Sequence, residues 1–458
     1  MRNAVPTLSS WHGPGYSRPS PPRRARFQWV DLSLKALFPF LLAALIAVGL
    51  KLGSFGAYLS LFSRQGCTAF LPALGAGYFL AMVLFQIMRT VLWALYRPCP
   101  LQNGPLPHLS VIVPVFNEGP MVEACLESIG SADYPRERLE IICIDDGSTD
   151  DSWEYIGLAR NRRPDLIKTI RFPHNRGKKE ALYQGFREAR GEVVVTVDSD
   201  SLITKEALRH LVAPLLKDAR IGAVAGNVKV YNRHDSLIGK MQGVRFVNLD
   251  YLRASQSVYR TVICTPGSLS AYRRAALLPH LEAWRNQTFL GAPCQHSEDR
   301  ALTNFILRAG YYTCYQRTAV VYTLVPENYA GLCRMYLRWE RGNVRESCVM
   351  LGYLFTRYRL KHRLMPIVEF FLSQLEYPMT LFFFGVLAAS LAAYPVIFFK
   401  CLAALALISL LNQVYYLWLE RDYDFIYGVI YSYYAFFLLQ WIYPYAVVTV
   451  RDRRWLTR

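Results

Sequence analysis

Acidic side chains follow three β-rich runs of this sequence at the point where each run ends. Two polar residues close each run, as Asn117 with Glu118, Asp145 with Asp146, and Asp198 with Asp200. Because strand ends in a doubly wound α/β sheet meet in one crevice, we expect these side chains to converge. Converging carboxylates repel one another unless a cation or hydrogen-bond donors neutralise them. The pattern therefore predicts a site for Mg²⁺ or Mn²⁺ that bridges a diphosphate, with Asp198 and Asp200 as the metal ligands.

A glycine and a lysine stand just before the predicted helix 179–190. Gly177 gives the loop conformational freedom, and Lys178 adds a cation beside the amides of the first helical turn. Backbone amides at a helix N-terminus together with a lysine form a binding site for a phosphate. A solvated basic helix start is the alternative, and Asp145 and Asp146 taken alone could be a turn followed by a helix cap.

Three residues further along are candidates for the chemical step. Asp299 precedes the predicted helical run 301–309, and a carboxylate near a metal site can take the proton of an attacking hydroxyl. Its alternative role is to favour the helix start through the helix dipole. Arg338 could pair with a departing diphosphate and Trp339 could stack on a sugar ring, although both types also occur as membrane-interface anchors.

The segment 105–328 must position these groups, and in it β-rich and helical runs alternate. The predicted strands are 108–115, 139–144, 167–172, 192–197 and 222–230, and the helices between them include 121–131, 179–190 and 205–217. Alternation of this kind predicts an α/β fold with a doubly wound, mostly parallel sheet.

Apolar residues crowd both ends of the chain, which has 458 residues and is 53% hydrophobic. Two transmembrane helices are predicted within 33–97 and three to four within 364–450, where 367–377 would supply the fourth. Basic residues flank both groups, so the positive-inside rule places the 105–328 domain and both ends in the cytosol. We expect a disordered basic tail at 1–32, amphipathic interfacial helices at 329–363 and a second basic tail at 451–458.

The net charge of +18 comes mainly from residues beside the apolar blocks. Because no nucleic-acid-binding module is recognisable, we interpret this charge as facing membrane lipids and expect no nucleic-acid partner. The ten cysteines show no paired short spacing. Free thiols in a reducing compartment are therefore expected, and a zinc site is disfavoured.

The ordered set of motifs from about residue 110 to 347 resembles the processive glycosyltransferases of family 2, which include hyaluronan, chitin and poly-N-acetylglucosamine synthases. The resemblance implies a GT-A fold, a UDP-sugar donor, an inverting mechanism and a multi-pass enzyme of the inner or plasma membrane that exports its polymer. It places Asn117, Glu118, Asp145 and Asp146 at the nucleotide, Lys178 at the donor, and Asp198 and Asp200 at the diphosphate and metal. It makes Asp299 the base, and sets Arg338 and Trp339 beside the leaving group and acceptor.

Two positions depart from the family pattern. Met335 stands where the family usually has Gln, and Thr265-Pro266-Gly267-Ser268 replaces the more usual Ser-Gly-Pro. The first departure removes a polar contact and weakens the case for processivity more than the case for sugar transfer. The resemblance implies a hexosyltransferase that uses UDP-N-acetylglucosamine, UDP-glucuronic acid or UDP-glucose to extend a β-linked polysaccharide. The alternatives are addition of one sugar to a membrane lipid, and a non-catalytic protein that retains the transferase fold.

Overall fold

The structure is a computed structural model, which describes residues 21–51, 70–356, 363–393 and 395–452. Within these ranges eight strands form one sheet in the order β3-β2-β1-β4-β7-β6-β10-β5, and β8 pairs with β9 in a small hairpin. The strands are β1 (Leu109–Val115), β2 (Leu139–Asp145), β3 (Ile167–Arg171), β4 (Val193–Thr196), β5 (Ser201–Ile203), β6 (Ile221–Val230), β7 (Ser270–Arg273), β8 (Thr288–Phe289), β9 (Ala292–Pro293) and β10 (Tyr312–Thr323).

Helices lie between the strands and at both ends of the described chain. They are α1 (Pro21–Lys51), α2 (Phe70–Leu95), α3 (Met121–Gly130), α4 (Ser152–Arg162), α5 (Lys178–Glu188), α6 (Ala207–Lys217), α7 (Leu237–Val258), α8 (Arg274–Leu277), α9 (Leu281–Arg285), α10 (Glu298–Arg308), α11 (Tyr329–Leu354), α12 (Leu364–Ala393), α13 (Pro395–Asn412), α14 (Val414–Glu420), α15 (Ile426–Tyr434) and α16 (Ile442–Val448).

The sheet is mixed but mostly parallel, as predicted: only β5 and β7 of its eight strands run against the others. The half containing β3, β2, β1 and β4 is parallel throughout, as the alternation of strands and helices predicted. In the other half β7 runs antiparallel between β4 and β6, and β5 runs antiparallel to β10. The short strands β5 and β7 carry no signal of their own because three or four residues are too few to show a periodicity.

Both faces of the sheet are covered, so its central strands are buried on both sides. Side chains alternate along β1: Val111 and Val113 pack with α3 and α6 on one face, whereas Ile112 packs with α5 and α10 on the other. A strand buried on both faces needs an almost unbroken apolar sequence, and β1 satisfies this with every residue buried. This covering leaves the strand ends as the free edge at which polar residues can gather.

A separate cluster joins the outer helices to the sheet domain. Met241 and Val244 of α7 pack with Tyr336 of α11, and Tyr416 and Ile442 contact the same cluster. Helix α7 also packs along β6 and β10, so it belongs to both parts of the molecule. Among the described residues no single helix combines the length and apolar composition of a membrane span. The segments Tyr423–Leu439 and Ile442–Val448, which meet at a bend of 45°, meet those criteria only as a pair.

Several end segments differ from the sequence prediction. Helix α1 begins at Pro21, so residues 21–32 of the expected disordered tail are helical, whereas residues 1–20 lie outside the described chain. Residues 367–377 do not form a separate crossing, because they belong to the long helix α12, and α13 ends at Asn412, just before α14 begins at Val414. The last six residues of the basic tail lie outside the described ranges. The eight cysteines whose side chains the structure describes are free thiols, as expected.

We expect Gly185→Ala to destabilise the sheet domain, because α5 crosses β1 and β2 at this glycine. A Cβ there would lie 2.4 Å from Cγ2 of Ile112 and 3.0 Å from Cδ1 of Ile144. Overpacking of this kind costs about 1–3 kcal/mol. Gly157→Ala in α4 is the matched control: no atom lies within 4 Å of its added Cβ, so the better helix propensity should stabilise by about 0.5–1 kcal/mol. Thermal unfolding of the purified variants measures both changes, and equal midpoints would contradict the packing.

Candidate active site

The ends of β1 and β2 are joined by a network of short hydrogen bonds. The Asn117 amide donates to Oγ of Ser148 at 3.0 Å, and Oδ1 of Asn117 accepts from the Thr149 amide at 2.9 Å. The Ser148 amide in turn donates to Oδ1 of Asp145 at 3.0 Å. Asn117 has φ = 54°, a left-handed conformation that Asn tolerates better than most residues. The structure thus brings Asn117 and Asp145 together, as the strand order predicts.

Asp146 connects this turn to the loop that precedes α5. Its carboxylate accepts hydrogen bonds from the backbone amides of Arg176 at 2.7 Å and Gly177 at 2.8 Å. Burial raises the pKa of Asp146, and the two amides partly oppose that shift. The neighbouring Gly147 has φ = 71°, and an added Cβ would lie 2.5 Å from the carbonyl carbon of His174. Asp146 therefore orients the loop through its own oxygens, a role that the sequence did not indicate.

Lys178, the first residue of α5, joins the ends of three elements. Its Nζ lies 2.6 Å from Oδ1 of Asp198, after β4, and 2.9 Å from Oε1 of Glu298, at the start of α10. Burial alone disfavours the ammonium charge, but the two carboxylates outweigh it and raise the pKa of Lys178. The sequence predicted that Lys178 binds a phosphate. In the structure Lys178 lies between two carboxylates, and one of them, Glu298, was not among the predicted site residues.

Asp299 lies beside this ion cluster. Its Oδ2 accepts from the Gly267 amide at 3.1 Å and its Oδ1 from the Arg300 amide at 2.7 Å. Burial, followed by the charge of Glu298, raises the pKa of Asp299 to about 6, and Lys178 opposes the shift. A carboxylate that titrates close to neutrality can both accept and release a proton, which is what a general base requires.

Gly267 closes the gap between Asp299 and Lys178. A Cβ added at this position would lie 3.1 Å from Nζ of Lys178 and 3.5 Å from Oδ1 of Asp198. A hydrogen bond between the hydroxyls of Thr265 and Thr303, 2.8 Å apart, attaches this loop to α10. The sequence shows this loop as Thr265-Pro266-Gly267-Ser268, and no role for Gly267 was predicted from it. A glycine within a polar loop was the available signal, and the close approach of the backbone explains it.

The pair predicted to hold a metal, Asp198 and Asp200, lies at the end of β4. The Asp198 side chain keeps 29% of its surface exposed. Oδ1 of Asp200 accepts from the hydroxyls of Ser201 and Thr323, each at 3.2 Å. Within the described ranges no group of three or more His, Cys, Asp or Glu side chains has the arrangement of a metal site. The protein therefore offers two carboxylates here, and a hard cation would complete its shell with diphosphate and water oxygens.

Arg338 and Trp339 are neighbours on α11, and the charge of Arg338 acts on the ion cluster. The pKa of Glu298 is lowered although burial opposes this, because Lys178 and, more weakly, Arg338 favour its charged form. The Trp339 ring lies 5.6 Å from the Tyr336 ring and 6.4 Å from the Phe246 ring, measured between centroids. Arg338 thus faces the turn formed by Ser297, Glu298 and Asp299, which we call the active-site turn. Trp339 lies between the sheet domain and the outer helices.

Helix α11 contacts the turn before α10 through Gly342 and Ser297, and the contact leaves no room for a larger side chain at either position. Ser297, just before α10, has φ = 54°, and a Cβ added to Gly342 would lie 1.7 Å from its Oγ. The next residues of the turn, Glu298 and Asp299, carry the carboxylates. The distance between α11 and the ion cluster is therefore set by a glycine.

Gly342→Ala should push α11 away from Ser297 and lower thermal stability by about 1–3 kcal/mol, the usual cost of overpacking. Gly352→Ala is the matched control on the same helix, because no atom lies within 4 Å of its added Cβ. Thermal unfolding of the two purified variants beside the wild type measures the difference. If both alanines have the same effect, α11 is not packed on this turn.

Comparison with known proteins shows which family shares this sequence. Residues 110–279 match the family model described as glycosyl transferase family 2. The chain is 30% identical over 365 residues to an N-acetylglucosaminyltransferase of Azorhizobium caulinodans, covering 77% of this chain and 87% of that protein. It is 28% identical over 394 residues to a hyaluronan synthase of Streptococcus pyogenes, covering 83% of this chain and 90% of that protein.

A solved structure shares the architecture of the sheet domain. The mannosyltransferase of Pyrobaculum calidifontis in complex with GDP-Man and Mn²⁺ superposes with a TM-score of 0.58 at 25% identity, and the match covers 79% of this chain and 97% of that one. Together with the ordered acids at the strand ends, these likenesses show that the chain is a glycosyltransferase of family 2 with a GT-A-like mixed sheet.

Proposed function

We propose that this chain transfers sugars from a UDP-sugar to a growing β-linked polysaccharide, with inversion at the anomeric carbon and repeated addition. The donor would be UDP-N-acetylglucosamine, UDP-glucuronic acid or UDP-glucose. The observation that carries the proposal is the contact of Asp299 with the Gly267 loop beside the Lys178 and Asp198 ion pair. That contact sets a base with a pKa of about 6 next to the residues proposed to hold the donor diphosphate.

The donor half of the site would lie over the ends of β1, β2 and β4. Asn117, Glu118 and Asp145, with Asp146 behind them, would contact the uridine, and Lys178 and Asp198 would contact the diphosphate. The shared turn at Ser148 and the loop held by Asp146 support this grouping, because they hold these residues in fixed positions before a donor arrives. Such preorganisation reduces the entropy that binding must overcome.

Asp198 and Asp200 fit a divalent cation by their chemistry. Both offer carboxylate oxygens, the ligands that Mg²⁺ and Mn²⁺ prefer, and Asp198 is partly open to solvent. A bound cation of this kind would neutralise charge that builds up on the diphosphate as it leaves. Lys178 carries positive charge to the same place and would share that task.

The transfer step needs one proton acceptor. Asp299 would take the proton from the attacking hydroxyl of the acceptor while that oxygen forms its bond to the anomeric carbon. The bond from that carbon to the UDP oxygen breaks on the opposite side, and the electron pair leaves with UDP. Arg338 would stabilise the departing diphosphate, and Trp339 would stack on the acceptor sugar.

We also propose that the enzyme is a multi-pass protein of the inner or plasma membrane, with the catalytic domain of 105–328 in the cytosol. The apolar helices α1 and α2 before the sheet domain, and α12 to α16 after it, support this division. Basic residues beside both groups support the orientation. Helix α11 would lie at the membrane interface and join the active site to the outer helices.

Asp299→Asn should lower the rate of sugar transfer by about 10²–10⁴-fold, the usual contribution of a general base. In the wild type the rate should rise as the pH passes through about 6, because the raised pKa keeps Asp299 protonated below that value. The stability contributed by this group has the opposite trend: it is fully present at low pH and is lost as the pH rises through about 6.

The measurements for this prediction are UDP release and thermal unfolding between pH 5 and about 8, a range that spans the titration of Asp299. Asp299→Asn should remove the pH-dependent loss of stability near 6 and should unfold no earlier than the wild type at the higher pH. Asp165→Asn, at an exposed position, is the matched control and should leave both profiles unchanged. An Asp299→Asn variant with wild-type rates would contradict the assignment of the base.

The product decides the proposed function. Membrane vesicles containing the protein, supplied with each labelled UDP-sugar alone and in pairs and with Mg²⁺ or Mn²⁺, should yield a labelled β-linked polymer. Mass analysis of the product measures its length. A product that stops at one sugar on a lipid would favour the alternative of single addition, and no incorporation from any donor would contradict sugar transfer from UDP.

A further inference from the structure

The chain that leads into the proposed base has no regular secondary structure. Residues 294–297 connect β9 to α10, the helix that carries Asp299, and they belong to neither element. Every second residue here is buried, namely Cys294, His296 and Glu298. A buried backbone carbonyl needs a hydrogen-bond donor, and an irregular segment has no ladder of its own to supply one. The donors for these three residues must come from other parts of the molecule.

Three buried side chains supply these donors, one for each of the three carbonyls. Nζ of Lys179, in α5, donates to the first carbonyl at 2.9 Å. The guanidinium of Arg345, in α11, donates to the second, and Nε1 of Trp284, in α9, donates to the third at 3.0 Å. Each of the three donor residues is at most 5% exposed. Three elements that are distant in the chain therefore bind the same short piece of backbone.

Lys179 is a buried cation without an acidic partner. Among the residues that the structure describes, no ion pair joins it to a carboxylate, and its ammonium lies 5.2 Å from the centre of the Trp284 ring. Burial lowers the pKa of Lys179 to about 8. An ammonium that loses its hydration without gaining an acid costs free energy. The bond from Lys179 to the Cys294 carbonyl is therefore not explained by stability alone.

Arg345 is fixed in its turn by a buried acid. Its Nε donates to Oε1 of Glu346 at 2.9 Å, and Glu346 also accepts from Gln287 at 3.0 Å and from Asn304 at 2.9 Å. A planar guanidinium that binds a carboxylate on one side has its remaining donors in fixed directions. Arg345 cannot turn away from the His296 carbonyl without breaking this network.

The active-site turn contains a strained residue between two of the bound carbonyls. Ser297 has φ = 54°, a left-handed conformation that few residues other than Gly and Asn adopt. Such a conformation persists only where the surroundings determine it. Here the carbonyls of His296 and Glu298, one on each side, are both held by hydrogen bonds. The direction in which the chain enters Asp299 is therefore set by these bonds.

We propose that Lys179, Arg345 and Trp284 are positioning residues that together hold Asp299 in the geometry required for proton transfer. This inference rests on the proposed function, in which Asp299 takes the proton of the acceptor hydroxyl. In this role the three side chains act through backbone carbonyls and need not touch either substrate. A small displacement of a reacting group lowers the rate of the chemical step but leaves donor binding intact. Their loss should therefore appear in kcat and not in KM.

Lys179→Met is the most direct test, because it removes the ammonium and keeps the length of the side chain against Trp284. With whichever of the three proposed UDP-sugars the wild type transfers, kcat should fall by about tenfold or more and KM should change by less than about twofold. The midpoint of thermal unfolding should fall by no more than about 3 °C, because removal of a buried charge offsets the lost hydrogen bond. Lys205→Met, at an exposed lysine, is the matched control and should behave as the wild type.

Arg345→Lys is the second variant, because it keeps a positive charge beside Glu346. One ammonium cannot replace the planar guanidinium toward both Glu346 and the His296 carbonyl, so kcat should again fall by about tenfold. If both residues hold the same segment, the double variant with Lys179→Met should be no more than about threefold slower than the slower single variant. Effects that multiply to about a hundredfold would overturn the joint role.

Hydrogen exchange provides a readout that does not require activity. It is measured by mass spectrometry on the full-length protein in detergent, without substrate. In Lys179→Met the peptides that cover residues 294–301 should exchange about tenfold faster, the effect of losing one hydrogen bond. Peptides that cover 145–149 should exchange as in the wild type, because the nucleotide half of the site does not contact this segment.

The outcomes separate the positioning role from the proposed function. Unchanged exchange at 294–301 in folded Lys179→Met, or faster exchange with wild-type kcat, would overturn the positioning role. A higher KM with unchanged kcat would also overturn it, because Lys179 would then act on the donor. A Lys179→Met variant that fails to fold would make this lysine a structural residue and overturn its assignment. If the wild type transfers sugar from none of the three donors, the proposed function is contradicted, and the exchange result still stands.

Discussion

The contact on which the site depends is the ion cluster of Lys178 with Asp198 and Glu298. Two carboxylates brought together in a largely buried place repel one another and lose hydration, so a cation must accompany them. Here that cation is part of the chain and lies 2.6 and 2.9 Å from the two acids. Because its partners belong to the end of β4 and the start of α10, this one side chain fixes the relative positions of three elements.

The mixed sheet explains how the remaining groups reach this cluster. The chain passes through β6 and α7 before β7 returns antiparallel beside β4, and this return carries the loop of Thr265 and Gly267 to the strand ends. A parallel strand at that position would present its other end there. Gly267 can then approach Lys178 closely enough that a side chain would touch it, and its amide holds Asp299.

Helix α11 connects the chemistry to the outer helices because consecutive residues on a helix face different directions. Arg338 acts on the charge of Glu298, Trp339 packs near Phe246, and Glu340 accepts from Tyr377 of α12. Gly342, which has no side chain, leaves room for Ser297 of the active-site turn. A single helix therefore contacts the sheet domain, the outer helices and the turn that carries Glu298 and Asp299.

The sequence alone determined the features that depend on neighbours in the chain. Strands and helices around Asp145, Lys178 and Asp198 follow from β-branched runs, periodicity and turn residues, and the order of the acids identified the family. Tertiary structure decided that Lys178 pairs with Glu298, 120 positions away, that β7 inserts antiparallel, and that Glu340 accepts from Tyr377. These outcomes depend on strand pairing, burial and charge among distant residues, and local propensity carries no information about which distant residues will meet.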